Sequence, residues 1–247
     1  MTAWAAPAPE GLVYIVGDVH GCVDHLAVLL DRIDTDIARS DTPAQVVFVG
    51  DYIDRGPDSA DVVRFVFEMA QDFPEMVVTL AGNHEQMLLD FLADPSGKSG
   101  RRWLRHGGLQ TLASFGVGKG VTGDSVSAAL LFDAAGDLQE AMGADMVNWL
   151  RSLPTSWKSG TLWVVHAAAD PSLSMEAQSD TVLKWGHGAF LSEERLDGQW
   201  VAFGHQPFEA PFFADGKIGV DTGAVYGGQL TAARVDPEGE VTFLDTA

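Results

Sequence analysis

The chain has 247 residues, enough to bury a full hydrophobic core as one domain. With 46% apolar and 20% charged residues it is neither a disordered nor a fibrous sequence. Its 35 acidic against 15 basic side chains give a net charge of −20, which argues against binding long nucleic acid, because displacing phosphate counterions takes clustered Lys and Arg. The nearest thing to such a cluster is Arg101, Arg102 and Arg105. Most of the acidity reads as a solvated, self-repelling surface, with a minority of carboxylates reserved for metal. Cys22 is alone, so no intramolecular disulfide forms, which suits a reducing compartment. Residues 1–11 lack the marks of a signal peptide and no apolar run has the length of a membrane span. The expectation is a soluble, cytoplasmic protein that needs no membrane.

The first third repeats one grammar three times. Apolar runs at 12–16, 46–49 and 76–80 close on Gly17-Asp18, Gly50-Asp51 and Gly82-Asn83. Runs apolar at consecutive positions predict parallel strands buried on both faces. Between them, Leu26, Leu29, Leu30 and Ile33 share one helical face, as do Val62, Val63, Phe65, Val66 and Met69. Asp58 and Ser59 offer N-capping oxygens to the second helix. These are βαβ units, so all three Gly-Asp or Gly-Asn pairs fall at carboxyl ends of strands, where open α/β sheets bind ligands.

From residue 97 to about 157 the pattern predicts a mainly helical insertion, with helices at 103–115 and 141–153. Short strands then return at 161–165, 200–203, 212–213, 217–220, 229–235 and 241–244, and their spacing predicts a second sheet, mixed or antiparallel.

The chemistry concentrates in Gly17-Asp18-Val19-His20-Gly21, Gly50-Asp51-Tyr52-Ile53-Asp54-Arg55-Gly56 and Gly82-Asn83-His84-Glu85, followed by His166 and His205 at later strand ends. Together they form an oxygen-and-nitrogen ligand set without thiolate, suited to Mn, Fe or Zn. Six protein ligands on one ion leave no place for substrate. Two divalent ions sharing Asp51 as a bridging carboxylate use them naturally and can activate a water against a phosphate ester.

With these motifs, the chain resembles the phosphoprotein phosphatase family of metallophosphoesterases, especially its small bacterial and phage-type members. The resemblance also takes in Trp103, Gly107-Gly108, Thr111-Leu112 and the stretch 220–228, and so covers roughly residues 12–233. It implies a four-layer αββα sandwich. It implies Asp18, His20 and Asp51 at one metal and Asp51, Asn83, His166 and His205 at the other. It further implies His84 as general acid oriented by Asp54, with Arg55 and Asn83 binding phosphoryl oxygens. The implied substrate is a phosphoprotein or a nucleotide, with a serine/threonine protein phosphatase as the first reading and a diadenosine tetraphosphate hydrolase as the alternative. Rivals of other classes are a non-catalytic metal-binding module and a metal-dependent nuclease.

Two departures bear on substrate. Ala81 precedes Gly82-Asn83-His84-Glu85 where many relatives carry Arg, and His187 stands in the Trp185-Gly186-His187 stretch where another Arg is usual. A protonated His187 would substitute for that Arg, or it is a plain loop histidine. Tyr226 lines the pocket or is half-buried, and Asp221 orients His205 or caps a turn. Trp103, Trp149 and Trp157 pack the insertion or stack on substrate. Cys22 opens a helix, where a thiol's pKa can fall, but it has no place in the metal scheme. His25 and His106 read as structural.

Overall fold

The computed structural model describes residues 4–247. In chain order the elements are β1 (Leu12–Val16), α1 (Val23–Ile37), β2 (Ala44–Phe48), α2 (Ser59–Asp72), β3 (Val77–Thr79), α3 (Asn83–Ala93), α4 (Lys98–Trp103), α5 (Leu109–Ser114), α6 (Ala128–Met142), α7 (Ala144–Ser152), β4 (Ser156–Ser159), β5 (Leu162–Val165), α8 (Asp180–Trp185), β6 (Trp200–Phe203), β7 (Phe212–Ala214), β8 (Lys217–Gly219), β9 (Thr231–Val235) and β10 (Val241–Asp245). They form two five-stranded mixed sheets, ordered β10-β9-β1-β2-β3 and β4-β5-β6-β8-β7. Within the first, β1, β2 and β3 are parallel, as the βαβ grammar requires.

Strand alternation produces the layers. Leu12, Tyr14 and Val16 face one way with Val46 and Phe48, into a core shared with α1 and α2. Val13, Ile15, Val47 and Val49 face the other way and meet Leu162, Val164, Ala202 and Ile218 of the second sheet. Trp163, Val165, Val201 and Phe203 form the far face of that sheet, under Leu183 and Phe190. Three cores between four layers make the αββα sandwich. Burial on both faces is why the strand sequences show no polar alternation.

Several details differ from the sequence reading. The strands at 229–235 and 241–244 do not join the second sheet. They return as β9 and β10 to pair antiparallel beside β1. Their place in the second sheet is filled partly by β4, which the pattern did not reveal and which pairs antiparallel with β5. Helix α6 was also unforeseen. The single helix expected at 141–153 is divided by Gly143, whose φ of 78° ends α6 and starts α7. The helix expected at 103–115 is broken at His106 and Gly107, the latter with φ 114°. Asp58 precedes α2 but caps nothing with its side chain. The Ser59 hydroxyl instead accepts from the Asp54 N–H at 3.0 Å. None of the helices is long and apolar enough to cross a membrane among the described residues.

Candidate dinuclear metal centre

The three motifs converge because each follows a parallel strand. Residues after β1, β2 and β3 leave the same sheet edge, and those after β5 and β6 reach it from the second sheet. The turns are tight. Six non-glycine residues of the described chain have left-handed φ, and five are His20, Asp51, Asp54, Arg55 and His205. Such a conformation costs about 1–3 kcal/mol each and persists only where surroundings over-determine it.

Glu85 supplies much of that constraint. Fully buried at the start of α3, its carboxylate accepts from the N–H groups of Asp51 at 2.8 Å, Tyr52 at 2.9 Å and Gly82 at 2.9 Å. Burial raises its pKa to about 7, against the three amides, which lower it. Gly82 is required here, since a Cβ would stand 2.1 Å from Asp51 Oδ1.

Asp51 divides its oxygens between two groups of side chains. Oδ2 lies 3.5 Å from His20 Nε2 and 3.9 Å from His84 Nε2, while Oδ1 lies 3.4 Å from His166 Nε2. On one side His20, Asp51 and His84 bring ligand atoms within 4.8 Å of one another, and on the other Asp51, His166 and His205 do. Asp51 belongs to both, the arrangement a bridging carboxylate needs. Asn83 Oδ1 joins the second group, 2.9 Å from His166 Nε2 and 2.8 Å from His205 Nδ1.

Tautomers fit the same purpose. His20 Nδ1 meets the Ile53 carbonyl at 2.7 Å and His166 Nδ1 meets that of Val49 at 3.1 Å. Each ring therefore donates from Nδ1 and turns an Nε2 lone pair inward. His166 Nε2 and His205 Nδ1 lie only 3.2 Å apart with Asn83 Oδ1 between them. Lone pairs converging this way are stabilised by a cation. Burial drives both Asp18 and Asp51 well above the ordinary carboxyl range, helped by the charge of Asp221 on Asp18 and that of Asp18 on Asp51. Burial likewise drives His20 and His166 well below theirs. The donor set thus fits two divalent ions.

Asp18 enters differently from the sequence reading. Both its oxygens accept from the His205 N–H at 3.0 Å, and the tight first group contains His84 rather than Asp18. His84 is nevertheless held as a pair with Asp54, Nδ1 to Oδ2 at 2.6 Å. Asp54 also receives the Trp103 indole N–H at 2.9 Å and the Thr111 hydroxyl at 2.5 Å. Burial pushes Asp54 up to about 8, and burial with Arg55 and His106 pushes His84 down to about 2. The donors from Trp103 and Thr111 favour the carboxylate form of Asp54, and with Nδ1 held by it His84 turns Nε2 toward Asp51.

Arg55 reaches Tyr226, whose hydroxyl accepts from its guanidinium and whose ring centroid lies 5.4 Å from it. Tyr226 is 63% exposed, not half-buried. Asp221 accepts from the Gly223 N–H at 2.9 Å, the turn-capping alternative, while the His205 backbone N–H donates to Asp18. His187 lies 3.7 Å from Asp170 and helps line a cavity of about 410 Å³ bordered by His205 and Trp185. Cys22 is pushed up to about 11 by burial, the reverse of an activated thiol. Sequence reasoning missed Glu85, although it ends a motif already singled out. It also missed that Trp103 and Thr111 hold Asp54, because nothing local ties residues about 50 positions apart.

A sandwich with paired His–Asp clusters at its strand ends defines a metal-dependent phosphoesterase. The chain belongs to the calcineurin-like phosphoesterase family, whose model matches residues 11–209. It is 26% identical to the asymmetrical bis(5'-nucleosyl)-tetraphosphatase PrpE of Bacillus velezensis, over 94% of this chain and 92% of that protein. It is 31% identical to serine/threonine-protein phosphatase 1 of Salmonella typhimurium, over 90% and 91%. The crystal structure of a proposed diadenosine tetraphosphatase superposes with TM-score 0.64 at 21% identity, covering 99% of both chains, a likeness of fold.

Proposed function

We propose that the protein hydrolyses dinucleoside polyphosphates, with the serine/threonine phosphatase activity as second reading. The observation that carries the choice is the single guanidinium at the centre. Arg55 is there, while Ala81 and His187 occupy the places of two further arginines. A phosphomonoester dianion has only its own oxygens to be held by. A dinucleoside polyphosphate is held along its length, so one clamp suffices. Relatives named bis(5'-nucleosyl)-tetraphosphatase that align over nearly the whole chain support the same reading. The 31% identity to a protein phosphatase supports the second.

Asp18, His20, Asp51, Asn83, His166 and His205 would hold two divalent ions, which would supply Lewis acidity and water activation for ester hydrolysis. Arg55 binds phosphoryl oxygens through its planar fork. His84, oriented by Asp54, protonates the leaving oxygen from Nε2, and the anionic phosphoryl group favours the imidazolium needed for that step. A panel with Mn²⁺ tests the assignment: diadenosine tetraphosphate, a phosphoserine peptide and p-nitrophenyl phosphate. The dinucleotide should have the highest kcat/KM. A phosphopeptide preferred tenfold over it would reverse the order of the two readings.

A further inference from the structure

The arginines at 101, 102 and 105 have no part in this scheme, yet they stand together in a chain with only 15 basic residues. Their surroundings differ. Arg101 is committed to backbone, with Nε on the Ser96 carbonyl at 3.0 Å and Nη1 on that of Val126 at 3.3 Å. Arg105 pairs with Asp124. Arg102 is exposed, and its guanidinium lies 4.3 Å from the centroid of Trp185 rather than on a carboxylate.

The turn carrying them is fixed against the metal centre. Trp103 points inward to Asp54, and a Cβ on Gly107 would stand 2.5 Å from the Arg55 backbone nitrogen. His106, like Arg102, is exposed beside this contact. The Trp185 ring beneath Arg102 also lines the cavity bordered by His205 and His187. Arg102 therefore stands against one wall of the cavity that opens beside the metal centre. Stacking on the indole holds its donor fork in place before any ligand arrives.

We infer that Arg102 forms a cationic rim that binds the distal phosphates of a polyphosphate chain while Arg55 and the metal ligands hold the phosphoryl group under attack. This rests on the dinucleoside-polyphosphate reading and adds the feature that selects substrate length. A monoester has no group that reaches the rim.

The test compares the wild-type chain with Arg102→Gln and Arg102→Lys at one fixed free Mn²⁺ concentration. The measurements are KM and kcat for diadenosine tetraphosphate, KM for p-nitrophenyl phosphate and for an acidic phosphoserine peptide, and Ki of inorganic triphosphate against the monoester. Arg102→Gln should raise the dinucleotide KM and the triphosphate Ki by about five- to tenfold, the loss of one charge-assisted contact. Its kcat should stay near wild type and its monoester KM within twofold, and Arg102→Lys should recover part of the loss. A triphosphate Ki indifferent to residue 102, or an equal shift in monoester KM, overturns the rim. So does a loss confined to an acidic phosphopeptide, which would make the rim a reader of carboxylates. If wild type fails to cleave the dinucleotide, the functional reading falls while the Ki comparison still decides the rim.

Discussion

At His84 the geometry separates two roles that the same residue type can play. Its Nε2 stands close enough to Asp51 and His20 to be grouped with ligands, yet its Nδ1 is locked to Asp54. A ligand would be lost together with its metal, whereas an acid would not. His84→Asn should therefore lower kcat on an alkyl phosphomonoester by about 10²–10⁴ while metal content, read by elemental analysis, stays at the wild-type ratio. The loss should be smaller on a polyphosphate, because a departing phosphate needs little protonation. Metal released by the variant, with unchanged rate per ion bound, would make His84 a ligand.

At the scale of elements, the end of α1 is tied to the first sheet by one carboxylate. Asp36 accepts from the Tyr14 hydroxyl of β1 at 2.5 Å and from Arg234 Nε of β9 at 2.9 Å. The tyrosine hydrogen bond, then the arginine, lowers the pKa of Asp36. A carboxyl whose folded pKa is depressed contributes stability above its unfolded value, near 3.9, and loses it as pH falls through the folded value. Asp36→Asn should thus destabilise by on the order of 1 kcal/mol at pH 7, discounted for partial exposure. That gap should close below about pH 4 in paired denaturant melts. A gap that persists unchanged at pH 3 would show that packing, not charge, ties the helix.

Legibility in the sequence followed the range of the interaction. Strands buried on both faces and helices with one apolar stripe were readable because each pattern is local. The candidate ligands could be picked out because each sits one to four residues beyond such a strand. The return of β9 and β10 to β1 was not, since Val13 pairs with Val235 across the whole chain and the same apolar residues would satisfy either sheet. Helix α6 was hidden by Gly136 and by an apolar face diluted with alanines. Trp103 read as packing or stacking and Thr111 carried no role, because their partner, Asp54, lies in another motif.

For the molecule as a whole, the proposed substrate choice rests on positions 81 and 187, and they are not equivalent as tests. Ala81 is buried, and its N–H donates to the Pro154 carbonyl at 2.8 Å, so an arginine there would overpack the sheet edge. His187 sits on an exposed loop at the mouth of the cavity beside His205, where a longer side chain fits without repacking. A guanidinium at that place would add a permanent charge facing a phosphoryl group, in competition with Asp170. His187→Arg should lower KM for p-nitrophenyl phosphate by about three- to tenfold, the range of one charge-assisted contact partly diverted to a neighbouring carboxylate. The dinucleotide, already held along its length, should gain less than twofold. The ratio of the two kcat/KM values is the quantity to measure. If both substrates improve in step, residue 187 strengthens phosphate binding without discriminating, and the missing arginine no longer explains why a polyphosphate is preferred.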